Sequence, residues 1–558
     1  MRQYLSLGRR GPRAAFPPRR MTGGAHAQHA VRATGACRSA HRGEPLASPS
    51  PRCSGDARQE IDLASTFAPR HGPDRHPDGR SADGLAARRA SSRADAATRR
   101  PRERVRTAPR QPRRRGRPAR ARPRRAVLPG SMMRRPLILV CAGIAVIGAL
   151  AAGYLMWEPA IAPVERPAAS SFDPVLRQEG ARVVALGDCV VCHTANDGRP
   201  FAGGRPLATP FGTIFATNIT PDPETGIGAW SIDAFARAMR HGVSRDGHLL
   251  YPAFPYVHFT RMTDREILAA YAYLMNREPV KAAAPANRLM FPLNFRPLVA
   301  FWNVLFLRPG TLAADASKNA EWNRGRHLVE GLGHCAACHS PLNAIGGEQS
   351  GHAFDGGLVD GWDAPALNRL TDAVRPWTRD ALVTYLGSGR SSEHGAAAGP
   401  MLPVTRELAT LPREDVDAIA IYLLSLQKPR TGDAPSAVPV GARSMTEPER
   451  RGATIFAASC AQCHGPEAPM QSIGERPSLA LGAAVNAETP RNLAQMIIGG
   501  ITWEGERAVN YMPPFGDVYS DEQIADLAQY VRAAYSSRGP WAGVDATVSA
   551  LRKENASR

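Results

Sequence analysis

The pentapeptide Cys189-Val190-Val191-Cys192-His193 sets two thiols three residues apart with an imidazole directly after the second, and the arrangement returns at Cys335, Cys338, His339 and at Cys460, Cys463, His464. Two thiols at this spacing can each bond one vinyl group of a porphyrin, while the adjoining imidazole turns under the ring to bind its iron. With nine Cys and fifteen His in 558 residues, composition alone predicts on the order of 0.004 such pentapeptides. Three copies therefore read as three covalent c-type haem sites. A structural zinc site would need a second Cys or Cys/His pair at a suitable spacing, which no region supplies. A thioredoxin-like pair would sit beside a βαβ pattern, and none is legible. Cys37, Cys53 and Cys141 form no motif.

An iron held by one imidazole can take a thioether opposite, which stabilises the reduced state and raises the potential. Met401, in Gly399-Pro400-Met401, lies 62 residues after His339, and Met512, in Tyr511-Met512-Pro513-Pro514, lies 48 after His464. A lone Met is often core filler, but Met-Pro-Pro in a loop before a helix is hard to assign to packing, so both are expected to be axial ligands. The matching slot of the first unit, 61 residues after His193, holds Phe254. Phenylalanine cannot bind iron. His258, in a Pro- and aromatic-rich loop, is the first substitute, with Met262, Met239 and an open site as alternatives. A His/His site would have a lower potential than its Met neighbours and could accept electrons first.

Each site must be held by a scaffold, and beyond residue 171 the chain divides into three units of about 100 residues. A helical segment leads into every motif, and an amphipathic helix closes every unit, at 263–275, 412–424 and 520–532. In register, Ile267, Val416 and Ile524 coincide, as do Ala270, Ile419 and Leu527, then Tyr273, Tyr422 and Tyr530, then Leu274, Leu423 and Val531. Those offsets trace one helical face, which should pack on the opening helix. Thr263 and Ser520 suit N-caps and Pro412 a first turn. Gly180, Gly325 and Gly452, eight to ten residues before each first Cys, would let an aromatic approach. Helix, motif, loop and Tyr-bearing closing helix together are similar to the class I cytochrome c fold. The expected fold is all-α: tandem class I cytochrome c domains at 172–280, 318–428 and 446–537 behind one N-terminal transmembrane helix.

Residues 1–130 hold 31 Arg, no Lys and nine acids, a net of +22, whereas the whole chain is +20. The basic character thus belongs to this segment alone. Its low apolar content predicts disorder, and it reads as upstream DNA translated from too early a start, with Met132 or Met133 as initiator. The competing reading, a nucleic-acid-binding arm, then falls away. Arg134-Arg135 precede a run without charge over 136–157. At ~1.5 Å per residue it suffices for a hydrocarbon core of ~30 Å. Pro163 after Ala160-Ile161-Ala162 should hinder cleavage, so 134–157 reads as a retained single-pass anchor in a bacterial cytoplasmic membrane. The flanking arginines put the haem domains on the periplasmic side. Pro159, Pro163 and Pro167 make 158–171 a stiff spacer.

A more specific resemblance lies in the first unit: Gly187-Asp188-Cys189, Phe201-Ala202-Gly203-Gly204, Thr209-Pro210-Phe211-Gly212-Thr213-Ile214, Thr217-Asn218-Ile219-Thr220-Pro221-Asp222 and Trp230-Ser231. These stretches resemble the triple-haem cytochrome c subunits of bacterial membrane-bound dehydrogenases for alcohols, gluconate, sorbitol or fructose. Tyr-Pro-Ala-Phe-Pro-Tyr over 251–256, followed by His258-Phe259-Thr260, departs from the family's usual Met at Phe254. It resembles the branch paired with molybdenum hydroxylases of aldehydes or N-heteroaromatics such as nicotinate. The resemblance implies an electron relay from a dehydrogenase catalytic subunit, with its small subunit, to ubiquinone or a terminal oxidase. The alternatives are service to a quinoprotein or flavin dehydrogenase, and, in another class, a haem enzyme or gas-binding site in the first unit.

The chain offers no dinucleotide fingerprint, phosphate loop or serine-nucleophile motif, so it is not expected to be an enzyme by itself. Residues 281–317 form an aromatic linker too broken by Asn294, Arg296, Pro297 and Asn303 to span a bilayer. It reads either as packing over the domain cores or as a surface pressed on membrane or partner. Residues 429–445 read as a plain linker and 538–558 as a polar tail.

Overall fold

The computed structural model describes residues 134–196, 198–430, 444–469, 478–502 and 511–556. The basic segment 1–131 and most of the linker 429–445 lie outside them. An apolar helix, Arg134–Met156, comes first, and its portion Ile138–Met156 is long enough to cross a membrane, with most of its side chains exposed and Met156 partly buried.

Three crossed helix pairs follow. The opening helices are Pro174–Leu186, Ala320–His327 (continued by a wide turn, Leu328–Leu332) and Glu447–Ser459. Their closing partners are Asp264–Met275, Arg413–Ser425 and Asp521–Tyr535. Thr263 and Ser520 cap as expected, each accepting from the N3 amide while Glu266 or Gln523 reaches back. Pro412 stands at the cap itself, not in the first turn, and offers no side-chain bond.

The three glycines mark the crossings. A Cβ on Gly180 would stand 2.0 Å from the carbonyl oxygen of Ala269 and 2.7 Å from Tyr273 Cβ. On Gly325 it would meet Ala418 at 2.0 Å and Tyr422 Cβ at 2.8 Å, and on Gly452 Asp526 at 2.1 Å and Tyr530 Cβ at 2.8 Å. The tyrosine-bearing face does approach, but the tighter obstacle is the closing helix's own backbone.

The first two pairs share one apolar core, in which Phe259, Leu274, Leu328, Leu386 and Leu423 are buried; the third has its own, around Phe456, Leu493, Ile524 and Leu527. Each such side chain contributes roughly 1.5–3 kcal/mol. The stretch expected as a polar tail instead carries a helix, Val544–Ala556, that buries Val544, Val548 and Leu551 in the third core.

The expectation of purely helical structure needs correction as well. Strands Pro206–Thr209 and Gly212–Phe215 form a hairpin, and Arg288–Leu289 adds a third strand from the presumed linker. Three further small hairpins pair Gly357–Val359 with Trp362–Ala364, Arg390–Ser391 with Gly395–Ala396, and Ile501–Thr502 with Tyr511–Met512. Strands of two to four residues give too little alternation to stand out in sequence.

Candidate functional site

Each motif folds as a single helical turn closed by the same bond. The amide of His193 donates to Cys189 O at 3.0 Å, that of His339 to Cys335 O at 3.0 Å and that of His464 to Cys460 O at 2.8 Å. Asp188 and His334, immediately before the first Cys of two motifs, adopt left-handed backbone with φ of 49° and 38°. Non-glycine residues held there cost of order 1–3 kcal/mol and cluster at functional sites.

The imidazoles are oriented by backbone carbonyls. His193 Nδ1 donates to Thr217 O at 2.6 Å, and His339 Nδ1 to Pro365 O at 2.7 Å. Placing the proton on Nδ1 leaves the lone pair of Nε2 for iron. Burial holds both rings below the usual histidine range, against the raising effect of those carbonyls, so they stay neutral and able to ligate. Burial also pushes the thiols of Cys189, Cys335 and Cys338 up to about 12, which suits sulfur carried as uncharged thioether. These donors fit a covalently attached haem. Neither Thr217 nor Pro365 was foreseen, because the acceptor is backbone and leaves no side-chain signature.

The sixth-ligand slots share a landmark that counting from the histidines had hidden. A middle helix in each unit, Ile232–His241, Arg379–Ser388 and Arg491–Gly499, ends on a glycine of positive φ: Gly242 at 64°, Gly389 at 71° and Gly500 at 68°. Only glycine takes this cap without strain. From Gly242 to Phe254, Gly389 to Met401 and Gly500 to Met512 the separation is twelve residues each time. The path is alike too: the amide of Leu250 donates to Gly242 O at 2.7 Å, and that of Ala397, equally far on, to Gly389 O at 2.8 Å. Phe254, Met401 and Met512 thus share one sequence position relative to the cap glycine, although Met401 opens a helix and Met512 pairs with Ile501 in a short ladder.

His258, four residues beyond Phe254, is buried against the second unit. Its Nδ1 donates to Glu330 O at 3.0 Å and its Nε2 stands 2.6 Å from Glu348 Oε1, so both ring nitrogens are spent on the second unit. Met262 is fully buried directly before the cap Thr263, and Met239 is buried on the middle helix. Counted from the cap glycines, Met239 matches Leu386 and Ile497. Cys189 and Val190 edge the core that holds it.

The units meet at their sites. His334 Nε2 donates to Gly187 O at 3.2 Å, and Cys192 lies within electrostatic reach of Cys338. Met401 and Met512 border one apolar cluster with Ala397, Leu402 and Ile501. Asp188, beside Cys189, has its carboxyl pushed up to about 8 by burial and then by Glu407, against Arg205.

This frame of crossed helices and a covalent-haem turn with a carbonyl-held imidazole defines a c-type cytochrome. The family model described as "Cytochrome c" matches residues 323–427, and that described as "Cytochrome C oxidase, cbb3-type, subunit III" matches 447–531. The chain is 47% identical over 412 residues to one of the subunits of nicotinate dehydrogenase from Pseudomonas putida, covering 73% of this chain and 34% of that protein. It therefore spans about a third of that relative's length. It is 33% identical over 414 residues to the fructose dehydrogenase cytochrome subunit of Gluconobacter japonicus, covering 70% of this chain and 84% of the relative. To the gluconate 2-dehydrogenase cytochrome c subunit of Pantoea cypripedii it is 37% identical over 411 residues, covering 68% and 90%. The chain belongs to this family of dehydrogenase cytochrome c subunits. It carries covalently bound c-type haem and is an electron-transfer subunit rather than a catalytic one.

Proposed function

We propose that the chain binds three haems and relays electrons from a periplasmic dehydrogenase to membrane ubiquinone or a terminal oxidase, anchored by Arg134–Met156. The observation that carries the count is the threefold recurrence of motif turn, cap glycine and slot twelve residues on. Each haem supplies a one-electron couple. The chain's own residues set its environment: Thr217 and Pro365 orient His193 and His339, Met401 and Met512 offer thioethers opposite, and shared cores hold the units together.

For the first haem the sixth ligand is Met239. Phe254 is inert, His258 is engaged elsewhere, and only this unit has sulfur where its counterparts carry Leu386 and Ile497. The favoured dehydrogenase is a molybdopterin type acting on aldehydes or N-heteroaromatics, supported by the 47% identity to a component of nicotinate dehydrogenase. The quinoprotein and flavin types remain the second reading, supported by the relatives that serve fructose and gluconate.

Haem per chain, counted by pyridine haemochrome against protein mass, should be three, and two would overturn the count. Molybdenum, quinone cofactor or flavin in the co-purifying dehydrogenase then decides the partner. Molybdenum is the expected result.

A further inference from the structure

The linker between the first and second units exposes an apolar surface that core packing does not explain. On helix Val299–Phe306 the buried side holds Val299 and Ala300, whereas Phe301, Val304 and Leu305, at i, i+3 and i+4, face outward. Met290, Leu293 and Phe295 just before it are exposed as well, and Phe291 is 84% exposed. Ile345, whose carbonyl accepts from Trp302 Nε1 at 3.0 Å, extends the surface onto the second unit. Single apolar side chains on a surface are ordinary; a contiguous group marks an interaction site.

Three observations say what covers it. The end of helix Arg134–Met156 meets Val299–Phe306, where Met156 packs with Val299, Ala300 and Tyr251. Next, the stiff spacer expected over 158–171 is pinned to the first unit. Ile161 N donates to Arg245 O at 2.8 Å and Val164 N to Ala229 O at 3.1 Å. Arg237 donates to Pro159 O at 2.6 Å and Arg166 to Met275 O at 2.8 Å. No slack tether separates the apolar helix from the haem unit. Finally, residues 279–314 contain no acid but hold Arg288, Arg296 and Arg308, besides Lys281, which pairs with Glu224. Aromatic and aliphatic side chains rimmed by arginine suit the headgroup zone of a bilayer with anionic lipid.

We propose that Val299–Phe306 and the preceding turn at 290–295 lie in the interface of the bilayer that Arg134–Met156 crosses, seating the first haem unit on an anionic lipid surface. This rests on the reading of Arg134–Met156 as a membrane span. The seat connects to the site: Tyr256 donates to Asn303 Oδ1 on the seated helix at 2.6 Å, and its ring lies 6.1 Å from that of Phe254. Through these contacts the seated helix reaches the Phe254 slot of the first unit.

The test is photolabelling of the intact chain in liposomes containing phosphatidylglycerol and a diazirine-bearing phospholipid, alone and with its dehydrogenase, followed by peptide mapping. Label in both 138–156 and 289–308 under both conditions is the expected result, with loss of the second alone in Phe291→Glu/Phe295→Glu/Leu305→Glu. Label in 138–156 only, or loss from 289–308 on adding the dehydrogenase, overturns the seat while the anchor stands. Label in neither segment overturns the anchor and the seat together.

Discussion

His258 Nε2 lies 2.6 Å from Glu348 Oε1, across the contact between the first and second units, with the carbonyl of Glu330 on its other nitrogen. We propose that His258, the sequence's first candidate for the missing iron ligand, acts as a clasp between the two units. His258→Ala should leave all low-spin haem signals in place in low-temperature magnetic resonance. The same change strands the partners of a buried polar group and should cost about 1–3 kcal/mol of stability against denaturant. Disappearance of one low-spin signal would restore His258 as a ligand.

Met239 carries the opposite expectation. Leucine fits its position, since Leu386 is the counterpart, so Met239→Leu should fold, with stability lowered by less than about 1.5 kcal/mol. It should nevertheless turn one ferric haem high-spin and remove its share of the near-infrared methionine-to-iron band. Met401→Leu and Met512→Leu should each do this to a different haem, and Met262→Leu to none. An unchanged spectrum in Met239→Leu would return the first site to Met262 or to an open iron.

The helix crossings predict a purely structural effect. Alanine at Gly325 would put its Cβ 2.0 Å from a backbone carbonyl that no side-chain rotation can move. Gly325→Ala should cost about 1–3 kcal/mol or more, read as a lower denaturation midpoint and poorer haem incorporation. Gly387→Ala is the control, because nothing lies within 4 Å of its added Cβ.

Much of this frame was legible in the sequence, and the failures have physical reasons. The motifs, crossing glycines and closing faces announce themselves because their spacing is set by covalent chemistry and by helical periodicity. Counting slots from the histidines gave 61, 62 and 48, since the loop between motif and middle helix varies in length. The invariant span starts at the cap glycine, where the backbone must turn left-handed, and that signal was available. Val544, Val548 and Leu551 do make a helical stripe, but one of only three apolar positions, followed at once by the charged run Arg552-Lys553-Glu554. The clasp at His258 was not legible, because Glu330 and Glu348 come from another unit.

The contact between the first two units should also respond to acid. His334 is held down to about 4 by burial first and by His258 next, against its bond to Gly187 O. The unfolded chain binds this proton near the usual value of about 6.5, the folded chain only near 4. Between those values the unfolded state holds more protons, so stability is fully present above about 6.5 and is lost as the pH falls towards 4. The loss from this group should be roughly 3 kcal/mol by linkage. Denaturant unfolding at about pH 4.5 and about pH 7, either side of most of that window, should show a smaller acid loss in His334→Gln, whose amide can still donate to Gly187. Equal losses in both proteins would mean that other groups carry the acid sensitivity and that His334 is no part of it.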